Sequence, residues 1–211
     1  MSALLRRPAA AGTVHDVTPE SAGWAYVGFK LHRLADGETL SGGEAGREIC
    51  LVPVTGAADV TCGTVSGRIG GRASPFEGPA SSAYAPAGLS WKVTARGPLE
   101  IAVCSAPGQG GGAARIIGTG DIGLETRGKG TNTRHVRNIL PETAEAESLL
   151  VVEVITPGGH WSSYPPHKHD RDAFPAETLL EETYYHRFSP PQGYAVQRVY
   201  TDDRSLDETM L

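Results

Sequence analysis

Short apolar or alternating runs, each soon cut off by glycine, proline or aspartate, set the strongest limit on what this chain can fold into. Segments 26–34, 49–54, 57–62, 90–94 and 99–105 have the alternation and the flanking punctuation of strands in one β unit. A second series follows at 149–155, 179–188 and 194–201. Glycine and proline number 27 and 15 among 211 residues, too frequent for a helical bundle and without the strict period of collagen. Only short helices fit, around 141–147. The expectation is an all-β protein.

Hydrophobic residues make up 39% of the chain, enough for a real core. A net charge of -5 supplies no basic footprint, which argues against nucleic acid and anionic membrane partners and for a small solute. The amino terminus carries two arginines but no apolar run of signal length, and no stretch is long enough to span a bilayer, so the reading is cytoplasmic. Cys50, Cys62 and Cys104 are odd in number, widely spaced and set among apolar residues, as reduced core thiols are. Any metal must therefore come to histidine and carboxylate ligands.

The run APGQGGGAA at 106–114 cannot hold a fixed backbone cheaply and reads as a hinge that ends the first unit. The expected division is an N-terminal barrel over 1–114, a linking segment over 115–148 and a second barrel over 149–211. In the first unit Gly46, Arg47 and Glu48 precede a strand that Gly56 closes, and Trp91 follows later. When the spacing from Glu48 to Trp91 is carried onto Glu182, it runs past Leu211, so the second barrel is expected to be incomplete, with an open edge.

Chemistry concentrates in 157–170, which ends Trp161, Ser162, Ser163, Tyr164, Pro165, Pro166, His167, Lys168, His169, Asp170, and in 181–186. Residues two apart on a strand share a face, so His167 and His169 can offer two imidazoles to one ion while Lys168 points away. Glu182 on a neighbouring strand would complete three protein ligands and leave positions open for substrate oxygens. Pro165 and Pro166 restrict the backbone ahead of the histidines. If Glu182 points inward, Leu180, Tyr184 and His186 share its face, and Glu181, Tyr185 and Arg187 face the other way.

Five strings carry a family resemblance: 14–20 (VHDVTPE), 138–142 (NILPE), 161–170 (WSSYPPHKHD), 190–194 (PPQGY) and 197–203 (QRVYTDD). Together they resemble the 5-deoxy-glucuronate isomerases of inositol breakdown, relatives of 4-deoxy-5-ketouronate isomerase, and the resemblance runs from the first residues to the last. It implies a bicupin, two tandem jelly-roll barrels. The carboxy-terminal barrel would bind a divalent metal, zinc or manganese, through two histidines, a glutamate and a later histidine. His167, His169 and Glu182 match the first three; the fourth, in a Pro-x-Gly-x-His-Pro strand, is expected beyond Leu211. The first barrel offers Glu44 and Glu48 but no histidine pair, with Trp91 where a histidine would stand, and is expected to be metal-free. Glu48 reads as a structural or solvent-facing carboxylate.

The reaction so implied interconverts 5-deoxy-glucuronate and 5-dehydro-2-deoxy-gluconate by moving a proton between adjacent carbons, with no redox cofactor. Arg198, Arg187 and, less suited, Lys168 are candidates for the substrate carboxylate. Tyr184, Tyr185 and His186 are candidates for the proton relay, and the residues do not choose among them. The metal's identity and the oligomeric state, a homo-oligomer included, stay open. Two other readings stand beside this one: a partial cupin that binds metal weakly without catalysis, and oxygen chemistry at iron, which two histidines and a carboxylate also suit. With a ligand and closing strands expected beyond Leu211, this chain alone is expected to be a poor isomerase.

Overall fold

The computed structural model describes residues 4–10, 12–163 and 167–211. Nine strands join in one antiparallel sheet: β1 (Thr13–Val17), β2 (Gly28–Leu34), β3 (Thr39–Gly42), β4 (Arg47–Cys62), β5 (Val65–Arg72), β6 (Ser82–Ala85), β7 (Trp91–Ala95), β8 (Leu99–Pro107) and β9 (Arg115–Ile117). The order is β1-β2-β8-β4-β6-β9, with β5 and β7 on the second part of β4 and β3 on β7. One short helix, α1 (Pro19–Ala22), follows β1 and opens with a capping box between Thr18 and Ser21. Beyond the first sheet, strands alternate with turns, a 3-10 turn at Gly130–Asn132 and, among the described residues, a long stretch without assigned strand between 156 and 196. β10 (Gly123–Arg127), β11 (Arg134–Leu140) and β12 (Val151–Ile155) form a three-stranded sheet, and β13 (Gln197–Tyr200) pairs with β14 (Asp207–Met210). The all-β expectation holds.

The sixteen-residue strand β4 organises the molecule. Its first part pairs with β8 and β6 and its second with β5 and β7, with register breaks between Pro53 and Thr55 and between Gly56 and Ala57. The two strands expected at 49–54 and 57–62 are thus one, and Gly56 bends the strand rather than closing it. The reason is steric. Gly56 has φ +84°, and a Cβ there would lie 2.3 Å from the Pro98 carbonyl oxygen.

β4 is buried on both faces. Leu51 and Val60 pack with Ile69, Val93 and Ile101 in one core, while Cys50 and Val52 face a second core with Leu31, Tyr84, Ile139, Leu140 and Leu149. The segment expected to be a linker therefore contributes strands and core residues. β9 extends the first sheet through β6, and β10 and β11 form most of the second. The glycine hinge is also shorter than expected, because β8 runs on to Pro107.

Two further expectations need correction. No helix forms at 141–147, where the chain makes turns instead. Its end is drawn to Glu48, which accepts from the backbone N–H groups of Glu147 (2.9 Å), Ser148 (2.6 Å) and Leu149 (2.8 Å) and from the Tyr84 hydroxyl (2.6 Å). Glu48 is accordingly structural and fully buried, with no face to solvent. Segment 179–188 belongs to no assigned strand. Its Glu181, Tyr185 and Arg187 side chains bond instead to the loop Ala25–Val27 and to Glu100 of β8, with no ladder.

Candidate metal centre

His167, His169 and Glu182 come together as expected: one ligand atom from each lies within 4.8 Å of the others. The two imidazole rings meet edge to face at 5.1 Å, and His169 Nε2 stands 3.7 Å from Glu182 Oε1. His169 Nδ1 is 3.1 Å from the Thr178 carbonyl oxygen. A carbonyl can only accept, so Nδ1 carries a hydrogen, and Nε2 is the ring nitrogen turned toward the carboxylate. Lys168 points elsewhere, to Glu177 at 3.8 Å. Pro165, Pro166 and Tyr164 lie outside the described residues.

Glu177 also anchors the turn that follows, accepting from the backbone N–H groups of Asp170 (2.8 Å) and Arg171 (3.0 Å). A backbone bond from Leu180 N–H to the His169 carbonyl (3.1 Å) brings the histidine and glutamate segments side by side. Two imidazole nitrogens and one carboxylate oxygen, open to solvent on one side, are a donor set that suits a divalent ion such as zinc or manganese and leaves coordination positions free.

Side chains along 181–187 alternate as a strand's do. On the Glu182 side, the Tyr184 hydroxyl donates to Glu182 Oε2 (2.6 Å), and the His186 ring stacks between Tyr184 (6.2 Å) and Phe188 (6.4 Å). Desolvation and the neighbouring carboxylate push the Tyr184 phenol well above its ordinary value. His186 Nε2 meets Gln197 Oε1 at 3.2 Å. Gln197 was not among the expected site residues: the strand expected at 194–201 contains β13, but its pairing with β14, which shapes the hairpin beside His186, has no local sequence signal.

On the opposite side stand Glu181, Tyr185 and Arg187. Glu181 takes the backbone N–H groups of Ala25 (2.7 Å), Tyr26 (2.7 Å) and Val27 (3.0 Å). Partial desolvation raises its pKa, but these three donors and the Arg47 charge outweigh that and hold it below the usual carboxylate range. The Tyr185 hydroxyl (3.0 Å) and the Arg187 guanidinium both donate to Glu100. Arg198 is held by Asp207 through two bonds, 2.7 and 2.6 Å. Of the relay candidates, then, Tyr184 and His186 share the cluster's face and Tyr185 does not. Arg187 and Arg198 are both engaged by carboxylates of this chain.

Strand topology and cluster together define an all-β protein with a two-histidine, one-carboxylate cluster. The chain belongs to the KduI/IolB family, whose model matches residues 4–211. It is 52% identical over 202 residues to the 5-deoxy-glucuronate isomerase of Geobacillus kaustophilus, covering 95% of this chain and 73% of that protein. It is 45% identical over 219 residues to the protein of the same name from Bacillus subtilis strain 168, covering all of this chain and 81% of that one. The crystal structure of an IolB-like protein from Salmonella typhimurium superposes with a TM-score of 0.94 at 52% identity, over 98% of this chain and 80% of that one.

Proposed function

We propose that this chain is a metal-dependent aldose-ketose isomerase that interconverts 5-deoxy-glucuronate and 5-dehydro-2-deoxy-gluconate. One observation carries the reading: His167, His169 and Glu182 converge, in a member of a family whose relatives bear that name, with Tyr184 and His186 on the same face. The three residues would hold a zinc or manganese ion. Bound there, the ion supplies Lewis-acid polarisation of substrate oxygens.

The chain's own residues supply the proton transfer. The substrate aldehyde makes the hydrogen on the adjacent carbon acidic; isomerisation removes it and returns a proton to the aldehyde carbon, while the proton of the neighbouring hydroxyl passes to the aldehyde oxygen. With Gln197 Oε1 accepting at Nε2, His186 keeps its lone pair on Nδ1, and we assign it the role of base and then acid. Tyr184, already donating to Glu182, orients that carboxylate and presents its hydroxyl beside it. Tyr185 and Arg187 serve the fold. Of the three candidate cations Lys168 has the longest ion pair, 3.8 Å, and we assign it to the substrate carboxylate. The division proposed for the chain is a metal-free unit at 1–114 and a site-bearing unit at 149–211, with 115–148 as a connecting segment that itself lends β9 to the first sheet and β10 and β11 to the second. No helix among the described residues is long and apolar enough to cross a membrane. With three free cysteines and a polar small-molecule substrate, we place the chain in the cytoplasm.

The test is conversion of 5-deoxy-glucuronate, followed with bound zinc or manganese in the same samples. His169→Ala and Glu182→Gln should lose metal and turnover together. His186→Gln should keep the metal and lose about 10²- to 10⁴-fold in kcat. Turnover at the parental rate in the two ligand variants would sink the assignment.

A further inference from the structure

Glu182 sits on a segment that no strand holds. Between 179 and 188 no ladder is assigned, and among the described residues the backbone bond from Leu180 leads back to His169, itself part of the cluster. Where Glu182 stands relative to the body of the protein is therefore decided by the side chains that alternate with it. Glu181, adjacent in sequence and opposite in direction, closes on three consecutive backbone N–H groups, those of Ala25, Tyr26 and Val27. Successive N–H groups turned to one point form an anion-binding nest, and a carboxylate is its natural occupant. The nest is itself braced from below, because the Tyr26 carbonyl accepts from Arg47 Nη2 (2.7 Å) on β4.

A second grip lies four residues on. Glu100 of β8, nearly buried, accepts from the Tyr185 hydroxyl and from Arg187 on one oxygen and from Arg33 Nε (2.9 Å) on the other. The Tyr185 ring is at the same time seated against Phe29 (6.0 Å) and His15 (5.8 Å) of the first sheet. One carboxylate reaches from the segment into the sheet region and the other from the sheet into the segment, on either side of Glu182. We infer that Glu181 and Glu100 are positioning residues for the ligand Glu182, so that the first sheet and the loop before β2 fix the geometry of the metal centre. This rests on the metal reading above. A ligand one residue from a fixed carboxylate cannot drift far, and outer contacts of this kind are worth about 10- to 100-fold in metal affinity.

The experiment reads zinc directly, by competition of the metal-free protein against a chromophoric chelator, with the melting temperature of the same metal-free samples and hydrogen exchange at Ala25–Val27. Glu181→Gln puts an amide N–H against the nest. It should weaken zinc binding about tenfold or more, speed exchange at residues 25–27 and leave the melting temperature near that of the parent. Glu181→Asp, which keeps the charge on a shorter arm, should recover part of the affinity. Tyr185→Phe removes only the hydroxyl bond to Glu100 and provides a second reading should Glu181→Gln fold poorly; it should weaken zinc in the same direction. If the parent binds zinc and both Glu181→Gln and Tyr185→Phe match it, the inference falls while the metal reading stands. A fall in melting temperature that tracks the loss of zinc would likewise overturn it, since the role would then be structural. A parent that binds no zinc overturns both.

Discussion

Glu48 is fully buried and accepts four hydrogen bonds, three from consecutive backbone N–H groups of another segment and one from Tyr84. Removing such an acceptor leaves buried donors without partners, which costs more than the bonds themselves contribute. Glu48→Gln, which sets an N–H against those donors, should lower the unfolding free energy by about 2–4 kcal/mol, and Tyr84→Phe by about 1 kcal/mol. Urea denaturation with an unchanged midpoint for Glu48→Gln would refute the staple. Cys62, also buried, has its thiol pushed up to about 11 by desolvation from an ordinary value near 9. The folded state thus holds its proton more tightly than the unfolded state. That contribution is whole below pH about 9 and is lost as pH rises through about 11, an amount on the order of 2 kcal/mol. Melting temperatures measured from pH 8 to 11 should fall less steeply in Cys62→Ala than in the parent. At this scale the sequence was legible where spacing has chemical meaning. The alternation that joins His167 to His169, and Glu182 to Tyr184 and His186, follows from period two alone. Glu48 and Gln197 were not legible, because their partners are about a hundred and eleven residues away respectively and lie on elements whose pairing no local pattern shows.

Among the elements, strands bounded by turn residues were found where β2, β7, β8, β12 and β13 stand, their ends shifted by a few residues. Others escaped for physical reasons. β5, with the sequence VSGRIGGR, carries three glycines that look like turn, yet Gly70 is needed because a Cβ there would lie 2.4 Å from the Gly56 carbonyl oxygen. β11 carries Arg134 and Arg137 and reads as linker, although it buries Val136, Ile139 and Leu140. Glu181 to Arg187 shows the converse. The alternation is real, but side-chain bonds to the loop before β2 and to Glu100 of β8 do the fastening that a ladder usually does. The bend in β4 is the element-scale feature most open to test. Gly56→Ala meets both a positive φ and the Pro98 carbonyl, so it should cost at least about 2 kcal/mol in chemical denaturation, while Gly37→Ala, also at positive φ but with nothing within 4 Å, should cost less. Equal losses would mean that the close approach to Pro98 carries no weight.

Across the whole molecule, the β10–β12 sheet is joined to the first sheet by one cluster of charge. Glu153 on β12 lies opposite Arg137 on β11 and accepts from it at 2.7 Å, and both of its oxygens also take Arg72, at the end of β5, at 2.6 and 2.9 Å. Arg72 is nearly buried and further donates to the carbonyls of Val54 and Gly78, while Arg137 donates to those of Pro75 and Gly78. Two guanidiniums drawn out of water on one carboxylate make the arrangement costly to break, because removing the carboxylate leaves both charges buried and uncompensated. Glu153→Gln should therefore destabilise by about 3–5 kcal/mol. The loss should also be uneven. β4 keeps its ladders to β5, β6, β7 and β8 in the variant, whereas the second sheet loses its principal ionic tie to them. Hydrogen exchange should then show β11 amides moving to a faster class while those of β4 remain slow relative to them, whereas in the parent the two should exchange together. A Glu153→Gln protein in which both strands accelerate equally would show instead that the two sheets unfold as one unit, held by the apolar contacts of Ile139, Leu140 and Leu149 with β4 rather than by the charges.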